Sequence, residues 1–114
     1  MILNLTPHSI RLYSWDREEG SDDLEPHLRA VYEPEPTPSR LATIELGPDG
    51  SGAELVEFGH AQDLPPKRDG YRYIVSLVVA LALADRRSDL LVPYHEVRNA
   101  SGTVIGCRAL AQPA

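Results

Sequence analysis

The chain has little cysteine, no long apolar run and a deficit of basic charge, and each shortage excludes something. Cys107 is its one cysteine, so an intrachain disulfide is excluded and a reducing compartment is expected. No stretch reaches the roughly 18 consecutive apolar residues of a membrane-spanning helix. The first residues, Met1-Ile-Leu-Asn-Leu-Thr-Pro7, lack the basic n-region of a secretory leader. The expected location is therefore the cytoplasm, with no membrane partner. His8, His27, His60 and His95 are scattered and make no zinc-ligand spacing with Cys107, so neither metal nor cofactor is expected. A net charge of −6 argues against a nucleic-acid polymer as partner, because such binding rests on neutralising phosphates.

What basic charge there is lies toward one end. Residues 1–63 hold thirteen carboxylates against Arg11, Arg17, Arg29 and Arg40. Residues 64–114 hold Lys67, Arg68, Arg72, Arg86, Arg87, Arg98 and Arg108 against Asp69, Asp85, Asp89 and Glu96. An acidic body with an arginine-bearing second half suits a small, enclosed anion better than a long polyanion. The alternative is that these arginines only solvate a surface.

At 114 residues the chain is one domain by length. Its most informative stretch is Tyr71-Arg-Tyr-Ile-Val-Ser76 followed by the uncharged run Leu77 to Ala84. The first part has the aromatic and β-branched composition of a strand. Ser76 can cap a helix, and the helix after it is apolar on every face, which places it in the core or in a subunit contact. Residues 2–5 and 9–14 read as two short strands around the Thr6-Pro7-His8 bend. Residues 16–26 read as an acidic surface loop and 28–32 as another strand. Glu33-Pro-Glu-Pro-Thr-Pro-Ser39 reads as a stiff extended connector without ladder hydrogen bonds.

Residues 41–46 and 54–59 flank Gly47-Pro-Asp-Gly-Ser-Gly52 as a hairpin whose glycines supply positive φ. No helix follows them, so they do not form a phosphate-cradling loop. Residues 90–92 read as a strand stopped by Pro93. A second hairpin turns at Asn99-Ala-Ser-Gly102, and a second short helix is placed around 94–97. The expected fold is α+β: a mostly antiparallel sheet of five to seven strands with one or two short helices on one face.

No catalytic constellation stands out. Cys107 sits in an apolar strand, where packing is the common use of a free cysteine; a nucleophile would need a base such as His95 to lower its pKa. Arg98, at a strand end beside Asn99 and the turn, and Arg108, on the returning strand, are candidates to converge on a phosphate or carboxylate. Tyr71, Tyr73 and Tyr94 are candidates to stack on a base. The competing reading is that Arg98 pairs with Asp85 or Asp89 and only holds the fold.

Asn4-Leu-Thr-Pro-His8, Tyr73-Ile-Val-Ser76, Asp89-Leu90 with Pro93, Val97-Arg98 and Gly102-Thr-Val-Ile-Gly-Cys107 occur in this order in small proteins common in phages and prophages. The set resembles the first type of anti-Thoeris protein, which captures immune signalling nucleotides without degrading them. The resemblance covers residues 2–8 and about 64–110. It implies a homo-oligomer of α+β protomers in the bacterial host cell, with ligand pockets at subunit contacts. The implied ligand is glycocyclic ADP-ribose, or a cyclic oligonucleotide. By position it implies that Leu77, Val78 and the segment from Tyr94 to Arg98 line the pocket, with Arg98 on phosphate. Two residues depart from the pattern: Leu77 stands where a polar residue is expected, and Tyr94 where a second arginine would lie. A changed ligand, or none, is the implied consequence.

The expected function is thus non-enzymatic sequestration of a small cyclic nucleotide that signals anti-phage defence. The alternatives are an oligomeric phage accessory or assembly protein acting through the apolar helix, and a hydrolase built on Cys107 and a histidine.

Overall fold

The computed structural model describes residues 1–16 and 27–114; most of the acidic loop expected at 16–26 lies outside them. Among the described residues eight strands and one α-helix follow in chain order: β1 (Ile2–Asn4), β2 (Ile10–Tyr13), β3 (Leu28–Tyr32), β4 (Arg40–Pro48), β5 (Glu54–Gln62), β6 (Arg72–Ile74), α1 (Leu77–Leu83), β7 (Leu90–Arg98) and β8 (Val104–Ala111). Six of the strands form one sheet in the order β1-β6-β7-β8-β2-β3, and β4 pairs only with β5.

The sheet is mixed, which corrects the expectation of a mostly antiparallel one. β1 and β6, β6 and β7, and β2 and β8 run parallel; β7 and β8, and β2 and β3, run antiparallel. Tyr73-Ile-Val75 and Leu90-Leu-Val92 are buried throughout. Such uninterrupted apolar triplets belong to strands covered on both faces, the situation of parallel pairs. The sheet curls almost into a barrel. Its outer strands approach where Asn4 bridges Pro34, and Glu35 N–H donates to the Asn4 carbonyl at 2.9 Å. The proline-rich connector therefore does make ladder-like bonds, at its non-proline residues: Ser39 N–H donates to the Leu5 carbonyl at 2.9 Å.

Asn4 itself sits at this seam, 1% exposed. Its Nδ2 donates to the carbonyls of His8 (2.7 Å) and Tyr32 (2.8 Å). Its Oδ1 accepts from Thr6 N–H (2.9 Å) and Thr6 Oγ1 (2.7 Å). One carboxamide thus holds the Thr6-Pro7-His8 bend and the end of β3 together.

α1 is the one helix among the described residues, and Ser76 caps it as expected, its Oγ accepting from Val79 N–H at 3.4 Å. Val79 and Ala80 pack on Leu5, Tyr73, Val75, Leu90 and Val92. The outward face stays open: Leu77, Val78 and Leu81 are 47–60% exposed. The second helix expected at 94–97 is instead strand, because Pro93 does not end β7. β6 stops at Ile74, opposite Leu91, so beyond that point this edge of β7 has no partner strand, and a residue without an N–H is tolerated there. At the centre of the sheet Gly106 meets β2. A Cβ on it would lie 2.5 Å from the Arg11 carbonyl and 2.6 Å from the buried Tyr13 ring, so only glycine admits this crossing.

Two outcomes follow. Asn4→Ala leaves the buried Thr6 amide without its acceptor and removes a donor from the Tyr32 carbonyl, while the His8 carbonyl keeps Thr6 Oγ1 at 3.0 Å; urea unfolding should give a loss of about 1–3 kcal/mol, the cost of one buried group left unpaired. Separately, Arg87 Nε and Nη2 both donate to the buried Asp89 carboxylate at 2.9 Å, and these bonds hold the Asp89 pKa below its ordinary value. A depressed carboxyl stabilises the fold above the unfolded-state pKa of about 3.9. That contribution is lost as pH falls through the folded-state value. Asp89→Asn should cost about 1.5–3 kcal/mol at neutral pH and flatten the acid limb of a stability–pH profile.

Candidate functional site

β7 changes character halfway along. Leu90 to Val92 are buried, whereas Pro93 to Glu96 are exposed. Within the exposed part His95 has φ of 60°, a left-handed conformation uncommon for residues other than glycine, though histidine adopts it more readily than most. The pairing of β7 with β8 includes Tyr94↔Ala109 and Glu96↔Cys107 and passes over His95. The strain sets the His95 ring between two others. Its centroid is 4.8 Å from that of Trp15 and 4.3 Å from that of Tyr94, edge to face in both cases. Trp15 is 57% and Tyr94 54% exposed, so the three rings form a ledge open to solvent.

Arg108 stands at the end of this ledge. Its guanidinium carbon lies 6.0 Å from the Trp15 ring centre, and Nη1 donates to the carbonyls of Trp15 (2.6 Å) and Ser14 (3.3 Å). Arg29 Nη2 in turn donates to the Arg108 carbonyl at 2.8 Å. Carbonyl partners orient the guanidinium. A row of aromatic faces ending in an oriented cation is suited to a planar ring that carries negative charge, by stacking and charge-assisted hydrogen bonding together.

Of the residues expected to bind ligand, Tyr94 and Arg108 belong to this ledge. The others do not join it. Arg98 donates to Glu96 Oε2 (3.0 Å) and to the Gly102 carbonyl (2.8 Å), holding the β7–β8 turn. Its register partner is Val104, four residues before Arg108, or about 13 Å along the strand. The two arginines therefore do not form one fork. Arg98 makes its ion pair with Glu96, not with Asp85 or Asp89; Asp89 belongs to Arg87. Asn99 Oδ1 accepts from the N–H groups of Ser101 (3.0 Å) and Thr103 (3.1 Å), which assigns it to the turn. Leu77 and Val78 lie on α1, over the opposite half of β7. Tyr71 precedes β6 and carries the Arg68 guanidinium at 4.3 Å.

Trp15 and His95 were missing from the sequence-based set. A single tryptophan beside an acidic stretch was the available signal for the first; the left-handed backbone of His95 leaves none.

Cys107 is 2% exposed, and burial raises its pKa, which keeps the thiol protonated and unreactive. A cleft of about 370 Å³ opens beside it, with His8, Arg11 and Glu96 at its wall. The Glu96 carboxylate is engaged by Arg98 there, and Ser9 Oγ donates to Glu33 at 2.6 Å. Among the described residues no three His, Cys, Asp or Glu side chains gather as metal ligands. No family model, curated protein or solved structure matches this chain.

Trp15 is the sole tryptophan, so its fluorescence reports the ledge alone. Arg108→Ala removes the cation and the bonds to the Ser14 and Trp15 carbonyls. It should shift the emission to longer wavelength and increase quenching by acrylamide, whereas Arg98→Ala should leave both unchanged.

Proposed function

We propose that this chain is a non-enzymatic binding protein that captures a small aromatic anion of the cyclic-nucleotide class on the Trp15–His95–Tyr94 ledge. The observation that carries this reading is the row of three rings ending at Arg108. A base stacks on Trp15 or Tyr94, which any purine or pyrimidine can do, and its phosphate meets the guanidinium of Arg108. A protonated, buried Cys107 is in keeping with capture rather than turnover. The resemblance to anti-Thoeris proteins narrows the ligand to glycocyclic ADP-ribose or a cyclic oligonucleotide. On that reading the protein withdraws an immune signal inside an infected bacterium.

A second reading, an oligomeric accessory or assembly protein of a phage, is favoured by a different observation. Ile44, Leu46, Leu55, Val56 and Phe58 on the β4–β5 hairpin, and Leu77, Val78 and Leu81 on α1, are all exposed.

Calorimetry against glycocyclic ADP-ribose and a panel of cyclic di- and trinucleotides separates the two, followed by denaturation of the complex and identification of what is released. Capture requires binding and an intact ligand. Trp15→Ala or Tyr94→Ala should then weaken binding by about 1–3 kcal/mol, and Arg108→Ala by about 1.5–3 kcal/mol. Arg98→Ala should have a smaller effect. Binding that survives Arg108→Ala unchanged removes the ledge as the site; no binding to any of the panel leaves the assembly reading.

A further inference from the structure

The β4–β5 ribbon stands away from the rest of the fold. Its base is tied down: Leu41 packs against the core cluster, and Ser39 Oγ donates to the Gln62 carbonyl at 3.0 Å. From Thr43 to Phe58 every residue except Gly47 is exposed, so the body covers neither face of the ribbon there. Ile44, Leu46, Leu55, Val56 and Phe58 lie in the open on it. A two-stranded ribbon with no sheet or helix behind it is marginal in water, and contiguous exposed apolar surface marks an interaction site.

The charge of this surface has one sign. Between Thr43 and Phe58 the chain has Glu45, Asp49, Glu54 and Glu57 and no lysine, arginine or histidine. Asp49 closes the turn, its Oδ1 accepting from Ser51 N–H at 2.7 Å; the three glutamates stand on the strands, among the apolar side chains. Uniform negative charge restricts the occupant. Nucleic acid and an anionic lipid surface are repelled. Two arms laid together oppose like charges. The α1 face supplies no basic rim to attract the arm, because Arg86 pairs with Asp85 at 3.5 Å, and exposed Asp63 and Asp69 accompany Lys67 and Arg68.

The ribbon also leaves its outer backbone edges unpaired, since β4 and β5 bond only to each other. Native edges are commonly guarded by lysine, proline or a bulge. β5 has neither lysine nor proline. Its run Val56-Glu-Phe58 faces Glu45, Ile44 and Thr43 without a shift of register, the shifts falling on either side. The outer edge of β5 is therefore regular and open to a further strand.

From the exposure, the charge and the open edge together we infer that the outer edge of β5 takes an extended basic segment of another protein as a third strand. Main-chain N–H and C=O groups supply the pairing. Residues directly opposite one another share a side of the sheet. On the added strand, lysine or arginine thus stands opposite Glu54 and Glu57, and apolar side chains stand opposite Leu55, Val56 and Phe58. The ledge takes no part, so the inference is independent of ligand capture, and the two kinds of binding are lost through different variants.

The probe is a fluorescein-labelled peptide, Thr-Val-Lys-Ile-Val-Lys-Val-Thr, whose pattern reads nearly the same in either direction. It is titrated with the full chain and followed by anisotropy. A peptide with glutamate in place of both lysines is the charge control, and one N-methylated at successive residues is the backbone control. The lysine peptide should bind, and more weakly as salt rises; both controls should bind about tenfold more weakly or worse. Glu54→Lys with Glu57→Lys, shown to be folded by circular dichroism, should reverse the preference in favour of the glutamate peptide. With the lysine peptide bound, amide exchange should slow at the outward N–H groups between Glu54 and Phe58. A lysine peptide that fails to bind, or binds no better than the glutamate peptide, overturns the inference. So does binding that tolerates N-methylation, or exchange along β5 that stays unchanged. Sedimentation equilibrium of the chain alone is the last check: a dimer that Phe58→Ser converts to monomer makes a second copy the occupant and overturns it too.

Discussion

The carboxamide of Asn4 is the junction on which the curvature of the main sheet depends. β1 and β3 are the outer strands of that sheet, and without a bond between them it would remain an open, twisted layer. Asn4 lies where the two approach, and its four side-chain bonds reach the bend after β1 and the last carbonyl of β3. An aspartate there could accept from Thr6 but not donate to the two carbonyls. A leucine could do neither. The Asn4 side chain is buried, so its donors and acceptor need partners, and the bonds that supply them hold the path of residues 6–8. It also brings the proline-rich connector alongside β1, where Glu35 and Ser39 use the backbone groups that the prolines lack.

A second constraint comes from the length of α1. Seven residues at 1.5 Å each make a helix about 10 Å long, which spans about three residues of an underlying strand. Leu90, Leu91 and Val92 are the three buried residues at the start of β7. The strand then runs out from under the helix: Pro93 to Glu96 are exposed, and Val97 is buried again. The exposure of Tyr94 and His95 thus follows from where α1 stops, and the left-handed turn at His95 becomes possible only there, outside close packing. Strain of this sort costs on the order of 1–3 kcal/mol, and it is borne in an exposed part of the strand, between two aromatic rings.

The core of this arrangement was legible in the residues. Ser76 as a cap, the two hairpins and the glycines at positive φ, and the apolar strand–helix unit are all local features, set by chemistry within a few residues of each other. What local chemistry does not encode is which strands pair. Isoleucine and leucine in β1 would suit an antiparallel neighbour as well as a parallel one, so the mixed sheet was not visible, although the uninterrupted apolar triplets of β6 and β7 pointed to strands covered on both sides. The site divided along the same line. Tyr94 and Arg108 were visible as residue types, but Trp15 reaches them from the far side of the chain through the β2–β8 contact. Arg98 had the chemistry of a phosphate ligand, yet a glutamate two residues away on its own strand pairs with it.

The same division bears on how the ledge and the open face of α1 relate. The ledge and the exposed face of α1 occupy opposite halves of β7, and Arg108 lies beside the first only. A rigid strand between two sites can transmit a displacement only if it has two arrangements to choose between. β7 is held by β6 and α1 in its first half, and its pairing with β8 is regular there but skips His95 and shifts between Val97 and Arg98. The only strained point along it, His95, lies on the ligand side of the helix end. The irregular part of β7 thus lies on the ledge side of the helix end, away from the half that α1 covers.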